Sequence, residues 1–77
     1  MNKQQRVELL QILSEIENLK GRVEAIHDEE QDKLDNMPEN LQSSERYNKI
    51  ENAVEALDAV VSGLDDAIEN INMAVEY

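Results

Sequence analysis

From Tyr47 to Val75 an apolar residue recurs in alternating steps of three and four: Tyr47, Ile50, Val54, Leu57, Val61, Leu64, Ile68, Ile71 and Val75. A run of that length with no polar interruption predicts one long helix with a heptad seam. Beside the seam lies a second row, Ala53, Val60, Ala67 and Ala74, spaced seven apart. Together the two rows form a stripe wider than a single partner helix covers. The small residues of the second row would let another helix approach closely, which makes that row the expected oligomer interface.

The first half repeats the pattern less completely. Leu9, Ile12, Ile16, Leu19, Val23 and Ile26 alternate in the same steps, with Leu13 alongside. They are the expected inner face of the first helix. If Val23 and Ile26 face inward, Glu24 turns outward and His27 becomes an exposed or flanking residue. The pattern lapses in "HDEEQDKLDN", where Leu34 alone is apolar. Helix propensity carries the chain through this stretch, loosely packed or frayed.

Between the halves stands "DNMPENLQSS", which holds the only proline. The residue before a proline avoids helical dihedrals, so the first helix is expected to end near Asn36. Ser43 or Ser44 can cap the next helix, with Glu45 in its first turn against the positive end of the dipole. The expected architecture is all-α: helix 1 at about 4–36, a turn at 37–43 and helix 2 at about 44–76. Each helix would be about 45 Å long. So short a connection makes the two antiparallel. Pairing two such hairpins into a four-helix bundle, a homodimer, would cover the alanine row.

Composition narrows the function classes. A chain of 77 residues is at most one domain, near the lower limit for a self-sufficient core. Oligomerisation, disulfides or a metal usually support such chains. There is no cysteine, which excludes disulfides and thiolate metal sites. The net charge of -11 disfavours direct contact with nucleic acid or with anionic membranes. No segment approaches the roughly 20 apolar residues of a membrane span. "MNKQQRVELL" contains no signal-peptide core. A soluble, cytoplasmic protein is the expectation.

Enzyme motifs are missing: there is no glycine-rich phosphate loop and no nucleophile elbow, and a single histidine supplies little acid–base chemistry. Glu24-Ala25-Ile26-His27 has the Glu-x-x-His spacing of di-iron bundles, but no glutamate interrupts the second seam to complete a site. "HDEEQD" lacks the alternating ligands and central glycine of a calcium loop. Neither catalysis, metal nor cofactor is expected. Gly21 and Gly63 fall on outer positions, as tolerated substitutions or as places where a partner backbone comes close.

Two constellations remain. The first is acidic. Glu51, Asp58 and Asp65 recur every seven residues on one flank of helix 2; Glu55, Glu69 and Glu76 lie on the other, and no lysine or arginine follows Lys49. A heptad rises about 10.5 Å, so these are parallel rows of negative charge. Read plainly, they are solvated flanks that limit partner choice. Read functionally, Glu51, Asp58, Asp65, Glu55 and Glu69 imitate a nucleic acid backbone and dock to a protein that grips phosphates. The second constellation surrounds the turn: Arg46, Tyr47 and Lys49 beside Asn40 and Gln42. Read plainly, it is turn chemistry with a Glu45–Lys49 pair one helical turn apart. Read functionally, it is a pocket for a small anionic, nucleotide-like ligand, held near the turn or shared between protomers.

The turn also carries a resemblance. Asp35, Asn36, Pro38, Glu39, Leu41, Gln42, Ser44, Glu45 and Arg46 form Asp-Asn-x-Pro-Glu-x-Leu-Gln-x-Ser-Glu-Arg, followed by an acidic helix of Ala, Leu and Ile steps. Over roughly residues 28 to 72 this resembles short acidic proteins of phages, prophages and mobile elements of Gram-positive bacteria. The resemblance brings no established activity. It implies a phage or mobile-element origin, and proteins of that kind often blunt host defences. Three functions follow as expectations: counter-defence binding of a host protein through the acidic face, sequestration of a small signalling ligand, and a structural assembly module.

Overall fold

The structure, a computed structural model, describes residues 1–76. Two long helices, α1 (Lys3–Asp35) and α2 (Glu45–Glu76), lie side by side as a hairpin. A short 3-10 turn, Glu39–Leu41, joins them. Among the described residues there is no strand, and no helix is long and apolar enough to cross a membrane. The molecule is a rod with extents of 59 × 14 × 13 Å.

Local chemistry sets the ends. At the start of α1, Asn2 and Gln5 form a reciprocal capping box: Gln5 N–H donates to Asn2 Oδ1 at 2.8 Å, and Asn2 N–H donates to Gln5 Oε1 at 3.0 Å. At its end, Asn36 N–H donates to Asp32 O at 3.0 Å, and Pro38 prevents continuation. The 3-10 turn closes where Leu41 N–H reaches Pro38 O at 2.9 Å. Ser44 Oγ then accepts from Tyr47 N–H at 3.2 Å, so Ser44, not Ser43, caps α2.

The stretch "HDEEQDKLDN" departs from expectation. It is helical as far as Asp35, and Leu34 is among the best buried side chains, 8% exposed. Helix propensity holds the segment, but Leu34 also anchors it against α2.

The inner face of α1 is likewise corrected. Ile12, Leu19 and Ile26 are not in the seam; they are 38%, 46% and 52% exposed. The covered positions are instead Leu9, Leu13, Ile16, Lys20, Val23, His27, Glu30, Leu34 and Met37, also in steps of three and four. Both patterns share Leu9, Ile16 and Val23, so they differ by a rotation of α1 about its axis. The observed rotation reaches Leu13 and Leu34, which the other leaves outside. On α2 the whole row from Tyr47 to Val75 faces the seam.

The interior is thin. Leu13, Leu34 and Val54 are the only buried side chains among the described residues, and none is fully enclosed. Leu34→Ala should therefore cost about 2 kcal/mol or more of stability. Gly21→Ala should add up to about 1 kcal/mol, because a Cβ there meets nothing within 4 Å and alanine favours helix. Urea unfolding followed by circular dichroism checks both signs.

Candidate functional site

Two half-buried polar residues in the seam of α1, Lys20 and His27, pair with carboxylates of α2. Lys20 Nζ pairs with Asp65 Oδ1 of α2. His27 Nε2 lies 2.7 Å from Asp58 Oδ1, and its Nδ1 lies 3.1 Å from Asp28 Oδ1. His27 is thus a seam residue, contrary to the expected flanking position; its side chain is 20% exposed. The two pairs are seven residues apart on each helix, so they hold a single antiparallel register.

These contacts give the hairpin two unlike edges. Asp58 and Asp65 reach across to α1 on one edge, where Glu17 and Glu24 also lie; Glu17, Lys20, Gly21, Glu24, Asp65 and Ile68 line an open groove there. This is the acidic edge. The opposite shoulder of α2 carries Ala53, Val60, Ala67 and Ala74, and the opposite shoulder of α1 carries Ile12, Leu19 and Ile26. Heptad geometry places these two rows together on the other edge, which is aliphatic.

The acidic residues are not equivalent. Asp58 and Asp65 are tied to His27 and Lys20, yet their side chains remain 64% and 54% exposed. Glu51, Glu55 and Glu69 are exposed and make no ion pair among the described residues; against expectation, heptad geometry sets Glu55 and Glu69 on the outer side of the Glu51 row and not on the opposite flank, which the alanine row occupies. Of the alanine row, Ala53, Ala67 and Ala74 are half-buried and Val60 is exposed.

At the turn, the expected residues are only partly brought together. Arg46 lines an open cavity of about 420 Å³ with Lys33, Asn36 and Ser44, over an apolar floor of Met37, Pro38, Leu41 and Ile50. Tyr47 is half-buried in the seam. Lys49 turns away to pair with Glu45 at 3.3 Å. Asn40 is exposed in the 3-10 turn, and Gln42 Nε2 donates to Met37 O at 3.4 Å. Lys33, which sequence reasoning missed, belongs to this cavity. It is also paired with Glu30 at 2.7 Å.

The proton equilibria follow the geometry. Hydrogen bonding to Asp65 raises Lys20 above its ordinary value, so Lys20 stays charged. His27 is also raised, first by its hydrogen bond to Asp28 and then by the charge of Asp58. As imidazolium, its Nδ1 and Nε2 both donate, one to each carboxylate. Among the described residues, no three potential metal ligands converge. The Glu24-x-x-His27 spacing leaves Glu24 exposed on the acidic edge and His27 facing Asp58.

In comparison with known proteins, no family model, curated protein or solved structure matches the chain.

Because the histidine is raised in the folded state, its contribution is complete below the ordinary imidazole value of 6.5 and fades as pH rises through the raised value. The melting temperature should therefore fall as pH climbs from mildly acid to alkaline. His27→Gln should flatten that slope, and thermal melts across the range would show it.

Proposed function

We propose that this chain is a non-catalytic binding module of phage or mobile-element origin, acting in the host cytoplasm. Hairpins pair into a four-helix bundle, and the acidic edge holds a basic surface of a host protein. The partner class that fits is an enzyme that handles nucleic acid in defence, because such a protein already carries a surface built to grip phosphates. The observation that supports this reading is the exposed, seven-residue repeat of carboxylates on α2, unneutralised at Glu51, Glu55 and Glu69. A chain with a net charge of -11 repels most macromolecules but is drawn to a cationic patch.

The same geometry directs the test. Reversing Asp58 or Asp65 would also break the pairs to His27 and Lys20, so the informative variant leaves them in place. The Glu51→Lys, Glu55→Lys, Glu69→Lys triple variant should lose the host protein captured by the tagged chain. Capture by the unaltered chain should fall about tenfold or more between low and high salt. Capture that survives both changes would refute the acidic-edge reading.

A second reading is favoured by the turn cavity. Arg46 and Lys33 stand over an apolar floor, a combination suited to a small anionic ligand with a planar or apolar body, such as a nucleotide. In that case the protein sequesters a signalling ligand. A nucleotide present at about a hundred times its dissociation constant should stabilise the fold by about 2.7 kcal/mol. Arg46→Ala should remove that gain in a thermal-shift assay; no shift with any nucleotide tested sets this reading aside.

A further inference from the structure

We infer that the aliphatic edge seats a second copy of this chain, related by a two-fold axis parallel to the helices. Ile12, Leu19 and Ile26 of each copy pack onto Ala74, Ala67 and Val60 of the other. This rests on the pairing of hairpins proposed above and names the surface that makes it. That surface includes a row of α1 outside the alanine row from which sequence reasoning drew the interface.

Charge selects both the edge and the occupant. Two copies each carry a net charge of -11, so approach is least opposed where acids are fewest. Outside the seam row of Arg6, Leu13, Lys20, His27 and Leu34, the α1 row of Gln5, Ile12, Leu19, Ile26 and Lys33 is the one seven-residue row of that helix without a carboxylate. On α2 the acid-free zone covers the alanine row and widens to Ala56, Gly63 and Asn70. Charge stands only at the two ends of this zone, Glu8 beside Ile12 and Lys33 with Arg46 at the turn; between them an identical copy finds a matching apolar surface and keeps both acidic edges outward.

Area points the same way. The isolated hairpin exposes 5734 Å², whereas a compact monomer of 8.8 kDa exposes about 4,800 Å². The excess matches what one partner contributes to a standard interface, about 800 Å². A face of 59 by 14 Å supplies an area on the order of 800 Å². The three buried side chains of a single hairpin make the additional burial valuable.

Size decides the orientation. One row is large and the other is small, and both repeat every seven residues. Laying α1 of one copy over α2 of its partner sets large side chains against small ones, so the layers interdigitate. That arrangement brings the two turns to the same end. The opposite two-fold would stack large on large and leave the alanines facing each other.

Sedimentation and light scattering at micromolar concentration should give twice the chain mass of 8.8 kDa. The Leu19→Glu, Ile26→Glu double variant should weaken the dimer by about a hundredfold or more. Leu10→Glu is the control: Leu10 is 50% exposed but lies on the acid-bearing shoulder, so the dimer should persist. Should the double variant fail to fold, spin labels on Ser43→Cys in the otherwise unaltered chain provide the second measurement. Their separation should be less than half the 59 Å length of the rod. A separation close to that full length overturns the proposed packing, as does a dimer that survives the double variant or is lost equally in Leu10→Glu. A wild-type monomer overturns both this inference and the pairing it rests on.

Discussion

The rotation of α1 about its own axis governs the rest of the molecule, and the pairs Lys20–Asp65 and His27–Asp58 mark it. Apolar content alone barely chooses between two rotations. One would turn Ile12, Leu19 and Ile26 inward with Leu9, Ile16 and Val23. The other keeps Leu9, Ile16 and Val23 but replaces the three exposed residues with Leu13, Lys20 and His27, then continues to Leu34 and Met37. The second rotation spans the full helix and gives Lys20 and His27 each a carboxylate of α2. Partly exposed ion pairs add little net stability, but leaving one member half-buried and unpaired is costly, so they act on register more than on strength.

That rotation separates chemistry on the surface. The α2 acids gather on the edge where Asp58 and Asp65 cross to α1, joined there by Glu17 and Glu24, and the rows of Ile12, Leu19 and Ile26 and of Ala53, Val60, Ala67 and Ala74 lie on the other. The segregation underlies both proposals. In the proposed dimer the aliphatic edge adds burial to the thin interior, and the acidic edge stays open to a basic partner. The internal pairs also change how the acidic rows are understood. Asp58 and Asp65 belong first to the fold, which leaves Glu51, Glu55 and Glu69 as the carboxylates of the expected acidic face that no internal pair uses.

The turn obeys local rules throughout. Pro38 stops α1, the 3-10 turn reverses the chain and Ser44 restarts it, each through contacts within a few residues. Only one feature of this region is non-local: Lys33 from the end of α1 and Arg46 from the start of α2 line the same cavity.

The sequence by itself determined what depends on neighbouring residues. It set the two helices, the α2 seam from Tyr47 to Val75, the proline break and the serine cap, because periodicity, φ restriction and capping act over one or two turns of chain. It also displayed the acidic rows, since a seven-residue repeat places residues on one face of any helix. Tertiary structure alone decided which face of α1 meets α2, that His27 and Lys20 are seam residues, and that Ile12, Leu19 and Ile26 stand outside. Two nearly equivalent apolar patterns overlapped on α1. The carboxylates that separate them, Asp58 and Asp65, lie 31 and 45 residues away along the chain, beyond the reach of any local rule and adjacent only once the hairpin has closed.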